Sequence, residues 1–303
     1  MKSVIILYGG DSVESEISLQ SAQGIIKNID QTKFSATMQD IKDFDVRSIN
    51  KEALIFIAVH GKDGEDGATQ KLLSKNNIKF TGSDEISTKK CWDKISSKIL
   101  MVENQIPTPE FQVISANQKL DLEEKFFLKN NSFFVKPNNN GSSFGVSKVD
   151  HKKNLEEAVK EARKYSKDVI IEKAYNSAEY TVGILKGEAL QPLEIIAEDN
   201  DGFYDYEAKY NASAKTEHII PVNISHENFK KVNSIALKAH KLLKCRGVSR
   251  SDFRFYNNKF YLLELNTQPG MTSLSLVPEI ASHQKISFKR LIEEIMKDAS
   301  INK

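Results

Sequence analysis

The sequence predicts an α/β chain of two or three packed lobes, with a parallel-sheet lobe first and α+β lobes built on antiparallel sheet after it. Three observations lead there. Two strand–turn–helix units follow one another at the start of the chain, the plan of a parallel sheet covered on both faces. From Phe111 onward short alternating runs take over, as in antiparallel sheet with helices packed on one side. A length of 303 residues suits two or three domains rather than one minimal core.

The elements follow in order. Val4-Ile5-Ile6-Leu7 is a continuous apolar run, as in a buried parallel strand, and Gly9-Gly10 breaks it. Ser12 or Ser15 is expected to cap a helix whose apolar residues Ile17, Ala22, Ile25, Ile26 and Ile29 recur at helical spacing. The second unit reads strand over 54–59, turn-rich loop over 60–67, helix over 69–74, then Ile78-Lys79-Phe80. In such sheets the ligand crevice lies beyond the carboxyl ends of the strands, which is where the 9–16 and 60–67 loops sit. One helix is expected over 85–104, stopped by Pro107 and Pro109. Strands follow over 133–136, 169–173, 180–185 and 190–196, with a helix over 155–165. A long amphipathic helix over 227–244 precedes a hairpin, 249–256 to 259–266, turning at Asn257-Asn258. The stretch 198–211 is long for a plain connection and reads as a lid or functional loop.

Composition excludes several classes. Hydrophobic and charged fractions of 40% and 28% are those of an ordinary soluble chain, and no apolar run approaches the ~20 residues of a membrane span. The first apolar run ends at Gly9-Gly10, before a secretory h-region could form, so a cytoplasmic protein with no membrane partner is expected. Basic and acidic residues number 43 and 41, and a net charge of +2 gives no field for non-specific nucleic-acid binding. Cys91 and Cys245 are too few for a disulfide framework, match no metal-site spacing, and read as reduced, buried thiols.

Three constellations could carry chemistry. Glu264 and Asn266 lie two apart on a strand, hence on one face, with Leu263 and Leu265 on the buried side, and the hairpin brings Asp252 beside them. Two carboxylates and an amide oxygen suit Mg²⁺ shared with substrate phosphates; the alternative is a solvated polar face. In Lys136-Pro137-Asn138-Asn139-Asn140-Gly141-Ser142-Ser143-Phe144-Gly145 a strand delivers a lysine into a small polar loop whose N–H groups can approach a polyphosphate. No Gly-Lys-Ser/Thr closes that loop, so it is not a Walker A sequence, and an ordinary turn is the alternative. Ile170-Ile171-Glu172-Lys173-Ala174-Tyr175, followed by Glu179, could offer backbone groups to an adenine edge and a carboxylate to a ribose, or be an amphipathic strand with exposed charges. His60 and Arg250 read equally as site residues or as a loop cap and a surface ion-pair partner.

Taken in order, these pieces resemble one family, the D-alanine–D-alanine ligases of the ATP-grasp superfamily. The matching stretches begin with Gly9-Gly10-Asp11-Ser12-Val13-Glu14-Ser15-Glu16, Val59-His60-Gly61-Lys62-Asp63-Gly64-Glu65-Asp66-Gly67 and Val135-Lys136-Pro137 with its 141–145 loop. Tyr204-Asp205-Tyr206-Glu207-Ala208-Lys209-Tyr210 and Leu263-Glu264-Leu265-Asn266-Thr267-Gln268-Pro269-Gly270-Met271-Thr272 complete them, so the resemblance spans nearly the whole chain. It implies an ATP-grasp fold with a Rossmann-like N-terminal lobe (1–88), a small central α+β lobe (89–178) and a C-terminal α+β lobe (179–303). It implies ATP and two Mg²⁺ ions, with Mn²⁺ able to substitute, D-alanine as the small-molecule substrate, and a homodimer.

Residue by residue, the resemblance implies Lys94, Lys136, Ser142, Ser143, Glu172, Lys173, Tyr175, Glu179, Phe203 and Lys209 as nucleotide contacts. Lys94 and Lys136 take phosphates, Glu172 and Tyr175 the adenine side, and Glu179 the ribose. Asp252, Glu264 and Asn266 become metal ligands. Glu14 holds the ammonium of the first D-alanine, with His60 nearby, while Ser275 and the Leu276 N–H take the second carboxylate. Arg250 and the Gly270 N–H face the oxyanion of the tetrahedral intermediate, and Lys209 the transferred phosphoryl group. Glu14, Ser142 and Tyr210 form a hydrogen-bonded trio that closes the lid, and Tyr210 favours an amine acceptor over a hydroxy acid. Gln268, Ser251 and Ala174 depart from residues frequent in the family, and none is a catalytic group.

Overall fold

The computed structural model describes residues 1–116, 118, 132–197 and 216–301. Strand β1 (Lys2–Tyr8) enters the core through Val4, Ile6 and Leu7, all without exposed surface, and glycine at positive φ ends it twice, at Gly9 and Gly10. Helix α1 (Ser15–Asn28), β2 (Phe34–Asp40), β3 (Leu54–Ile57), α2 (Ala68–Lys75) and β4 (Lys79–Phe80) follow. The sheet order is β2-β1-β3-β4 and every pairing is parallel, so the loops after β1 and β3 emerge side by side at one edge, as expected. Neither expected serine caps α1: Glu14 holds the N-cap position, and Ser12 Oγ instead accepts from the Glu14 N–H at 2.9 Å. Strand β2, half polar and only partly buried, carries too weak an apolar pattern to be read from sequence.

The single helix expected over 85–104 is two, α3 (Glu85–Trp92) and α4 (Lys94–Glu103). Asp93 breaks it: its backbone is extended (φ −83°, ψ 96°) and its carboxylate accepts from the Ser96 N–H at 2.8 Å, making the C-cap of one helix the N-cap of the next. Helix propensity allowed continuity, and the side-chain cap overrides it. Met101 and Ile106 then join the core under the large C-terminal sheet, which fixes Lys94 relative to that sheet.

The central sheet comprises β5 (Phe111–Ile114), β6 (Phe133–Pro137), β7 (Ser147–Val149) and β8 (Val169–Lys173), ordered β5-β8-β6-β7 and antiparallel throughout. Helix α5 (Leu155–Ala162) covers one face with Leu155, Ala158, Val159 and Ala162, which meet Val135 and Ile171. The third sheet contains β9 (Glu179–Leu185), β10 (Glu188–Ala189), β11 (Leu193–Ala197) and β12 (Thr216–Ile219), then α6 (His226–Leu242), β13 (Val248–Tyr256) and β14 (Lys259–Asn266). Its order is β12-β11-β9-β13-β14, with β10 on β9. The strand expected from residue 190 starts only at Leu193, because Pro192 cannot donate to the ladder. Helices α7 (Leu276–His283) and α8 (Phe288–Lys297), not anticipated from sequence, pack Leu276, Ile280, Leu291 and Ile295 against Val4, Ile6 and Phe56. The parallel sheet and the C-terminal segment thus share one core, which closes the far side of the crevice.

The β13–β14 hairpin turns at Asn257 (φ 48°) and Asn258 (φ 59°), the left-handed pair a tight two-residue turn requires. Asp252 pairs with Glu264 and Arg250 with Asn266, so the four side chains share a face. Leu263 does not lie on the buried side with Leu265. The register shifts between Asp252 and Phe253, Leu262 pairs with Phe253, and Leu263 becomes the extra residue of a bulge and lines the site. The buried row is Phe260, Leu262 and Leu265.

Candidate active site

Two cavities meet at one wall. The first, about 840 Å³, collects Glu14, His60, Arg250, Gly270, Ser275 and Leu276; the second, about 760 Å³, collects Lys136, Ser143, Glu172, Lys173, Tyr175, Glu179 and Asp252. Lys94, Asn140, Gly141, Ser142 and Glu264 line both, and Asn266 faces the first. Every expected site residue within the described part of the chain therefore touches one cavity or the other. Phe203, Lys209, Tyr210 and the whole 198–211 stretch lie outside the described residues.

In the first cavity Glu14, only 5% exposed, sits at the N-terminus of α1 and accepts the Ser142 hydroxyl from a loop more than a hundred positions away. Gly61 and Gly141 make room for it: a Cβ at either would stand 2.6 Å from a Glu14 carboxylate oxygen. Ser21 Oγ accepts from the Met271 N–H at 3.1 Å and also meets His60 Nε2 at 3.0 Å, while His60 Nδ1 faces Glu65 at 3.7 Å. Buried His60 and partly buried Glu65 belong to one loop after β3. At the other end, Ser275 is the N-cap residue of α7, and its hydroxyl accepts from the Thr272 N–H at 2.9 Å. The positive end of that helix faces the cavity at Leu276, a suitable place for a carboxylate.

The shared wall is a β13–β14 surface met by the start of α4. Lys94 Nζ reaches Glu264 at 3.3 Å and donates to the Asn140 carbonyl at 2.6 Å, so one lysine ties the helix to both the hairpin and the small polar loop. Asn138 completes that joint by accepting from the Ile95 N–H at 2.9 Å. Arg250 holds Asp252 through Nε at 2.9 Å and Nη2 at 2.8 Å, and Thr181 donates to the same carboxylate at 2.8 Å. Among the described residues no three His, Cys, Asp or Glu side chains converge as a complete metal site. Two carboxylates paired across a hairpin, with an amide oxygen next along, instead make the partial, all-oxygen set that suits Mg²⁺ completed by phosphates and water.

The second cavity has a buried charge cluster at its back. Glu172, 1% exposed, pairs with Lys136 and, at 2.7 Å, with Lys98, itself 1% exposed. Burial pushes the Glu172 carboxyl up, but the charges of Lys136 and Lys98 outweigh it and hold the group below its ordinary value. Burial takes the Lys98 ammonium below its usual range, opposed by Glu172, as expected where two cations share one carboxylate. Lys98 also donates to Thr108 at 2.7 Å, and Thr108 to the Leu262 carbonyl at 2.8 Å, so the cluster is anchored to β14. Tyr175 stacks on Tyr261 at 4.3 Å between ring centres, with the Lys173 ammonium 5.1 Å from the Tyr175 ring. Arg254, unremarked in the sequence, binds Glu179 at 2.8 Å. Lys98 was also missed, although its spacing four residues after Lys94 places both on one helix face.

A parallel-sheet lobe joined to two antiparallel sheets, with the cleft between them carrying these charges, is the ATP-grasp fold. A family model described as the D-ala D-ala ligase C-terminus matches residues 100–297. The D-alanine–D-alanine ligase of Pelagibacter ubique (strain HTCC1062) is 43% identical, over 100% of this chain and 99% of the relative. A crystal structure of the D-alanine–D-alanine ligase from Bacillus anthracis matches with a TM-score of 0.86 at 28% identity, over 98% of this chain and 97% of that one. The same Bacillus anthracis enzyme complexed with ATP matches with a TM-score of 0.84 at 27% identity, again over 98% of this chain and 97% of that one. The chain belongs to the D-alanine–D-alanine ligase family.

Proposed function

We infer that this chain uses ATP to join two D-alanines into D-alanyl-D-alanine for peptidoglycan synthesis, releasing ADP and phosphate. The observation that carries the reading is the pair of cavities sharing Lys94, Ser142 and Glu264, one amphiphilic and lysine-lined, the other ending in groups for an ammonium and a carboxylate. Full-length similarity to D-alanine–D-alanine ligases supports it. A carboxylate does not accept an amine directly, so the first D-alanine is converted to an acyl phosphate, the second attacks through its amine, and phosphate leaves. Positioning and charge neutralisation are the main demands of such chemistry.

Glu14 takes the first ammonium, and its bond to Ser142 holds the polar loop over that substrate. Lys94 and Lys136 neutralise phosphate oxygens, while Glu172, Lys173, Tyr175 and Glu179 surround the nucleoside. Arg250 and the Gly270 N–H stabilise the oxyanion, and Ser275 with the Leu276 N–H receives the second carboxylate. Phe203, Lys209 and Tyr210 keep their expected roles in the nucleotide site and lid. Asp252, Glu264 and Asn266 would hold two Mg²⁺ ions, which supply charge neutralisation between the acidic wall and the phosphates. The donor set supports this, since two carboxylates and an amide oxygen on one face of the hairpin are the hard oxygen ligands Mg²⁺ takes together with phosphates. We further propose three lobes bounded near residues 88 and 178, a cytoplasmic location and a homodimer. Among the described residues no helix is long and apolar enough to cross a membrane.

The test is phosphate release from ATP with Mg²⁺, offering D-alanine, L-alanine, D-alanine with D-lactate and D-alanine with D-serine, and identifying products by mass. Release with D-alanine alone, yielding D-alanyl-D-alanine, is expected. Release only with a mixed pair would keep the site and overturn the acceptor; ATP binding without release under any condition would overturn the enzyme assignment.

A further inference from the structure

The chain has two cysteines, 154 positions apart in sequence, and the fold places their sulfurs 3.6 Å from each other. Cys91 lies in the last turn of α3, is buried at 6% exposure and lines the first cavity. Cys245 lies just beyond α6, is half-buried, and is held there by its N–H donating to the His240 carbonyl at 2.9 Å. Both thiols are free, and neither takes part in the proposed reaction. The contact is supported on both sides: Ser87 of α3 donates to the Lys244 carbonyl at 2.9 Å, and Ser83 accepts from the Arg246 N–H at 3.0 Å. Two chain segments are thus stitched together by serine side chains bonded to backbone groups, with the sulfurs facing at the centre.

We propose that Cys91 and Cys245 form an oxidation site that a hydroperoxide converts to a disulfide, with Cys245 as the attacking thiol and Cys91 as the resolving one. The difference in exposure assigns the order. Cys245 is the more exposed of the two, whereas hydrogen bonding to Cys245 and then burial push the Cys91 thiol up and disfavour its thiolate. Cys245 gives up two electrons to the peroxide; the peroxide O–O bond breaks, an alcohol or water departs, and Cys245 becomes a sulfenic acid. Cys91 sulfur then attacks the Cys245 sulfur, the S–O bond breaks, and the hydroxyl leaves as water with the Cys91 proton. Two thiols and one hydroperoxide yield one disulfide, one alcohol (or water) and one further water. A thiol reductant reverses the change, so in a reducing compartment the state is transient.

The bond has a route to the proposed chemistry. Cys91, Trp92, Asp93 and Lys94 are consecutive at the α3–α4 joint, and Arg250 lies five residues beyond Cys245 at the start of β13. Drawing the sulfurs together by roughly an ångström and a half moves the segment carrying Lys94 toward the one carrying Arg250. Displacements of about 1 Å in such sites cost on the order of a hundredfold in rate.

The experiment uses the reduced full chain exposed to hydrogen peroxide, with free-thiol titration, intact mass, peptide mapping under non-reducing conditions, and turnover before and after dithiothreitol. Both thiols should disappear with the loss of two hydrogens, one Cys91–Cys245 cross-linked peptide should appear, and turnover should fall roughly tenfold or more, recovering on reduction. Cys91→Ser should stop at a dimedone-reactive Cys245, while Cys245→Ser should keep its basal turnover and its Cys91 thiol. Two thiols that oxidise independently, or a cross-link only between chains, would overturn the site. A dimedone adduct on Cys91 in place of Cys245 would overturn the assigned order, and a disulfide form with full turnover would overturn the coupling to Lys94.

Discussion

Replacing Lys98 by methionine keeps the length and volume of a fully buried side chain and removes only its charge. In the native protein Lys98 and Glu172 lie 2.7 Å apart, each 1% exposed, with Thr108 accepting a second Lys98 hydrogen bond at 2.7 Å. Removing one partner leaves a carboxylate that has already been taken out of water with Lys136 alone. Breaking a buried pair in this way costs about 3–5 kcal/mol, far above the ~0–1 kcal/mol of an exposed pair. At about 2–4 °C per kcal/mol for a chain of this size, the melting temperature should drop by roughly 10 °C. Urea unfolding followed by fluorescence and circular dichroism measures the loss directly. The sign with pH is also set. Glu172 is held below its ordinary value, so the stabilisation is full above the unfolded value of about 4.3 and is lost as pH falls through the folded value. A loss below ~1 kcal/mol at neutral pH would refute the buried-cluster reasoning.

Three other outcomes follow from the geometry. Gly141→Ala puts a Cβ 2.6 Å from the flexible Glu14 carboxylate, so stability should change by less than ~1 kcal/mol while kcat/KM for D-alanine falls roughly a hundredfold; steady-state kinetics beside a melting curve separate the two. Glu264→Gln should abolish Mg²⁺-dependent phosphate release while the protein melts within a few degrees of the parent, and near-normal turnover would refute the metal assignment. His240 is held down to about 4 by burial, so stability is complete above about pH 6.5 and declines by up to ~3 kcal/mol as pH falls toward 4. His240→Gln, which can still meet the Ser249 hydroxyl now 2.8 Å away, should flatten that part of the pH–stability curve.

Acidic residues on the C-terminal helix α8 add to acid sensitivity in the same direction. Glu294 is held down to about 2 by hydrogen bonds from Lys186 and Lys297, a contribution present above its unfolded value and lost as the solution is acidified further. Its three cationic neighbours lie on β9–β10 and α8, so the effect ties the third sheet to the last helix.

Much of the site was legible in the sequence because its parts are local. The strand 4–7 run ended by two glycines, the 60–67 loop, the lysine entering a small polar loop at 136–145 and the Asn257-Asn258 hairpin each rest on interactions within a few residues. Alternation along a strand and pairing across a tight turn were enough to put Asp252, Glu264 and Asn266 on one face before any coordinates. What tertiary structure alone decided depends on residues far apart. The Leu263 bulge arises from how β13 pairs with both β9 and β14, and a one-residue shift reverses which leucine is buried. The break at Asp93 is a choice between two locally acceptable conformations, taken by its side-chain cap on Ser96, and the packing of Met101 and Ile106 under the third sheet then sets where the second helix lies. The spacing of Lys98 from Lys94 marks a shared helix face, but its burial beside Glu172, like the meeting of Cys91 with Cys245 across 154 positions, is not written in the sequence, because desolvation and long-range contact exist only once the sheets have closed on one another.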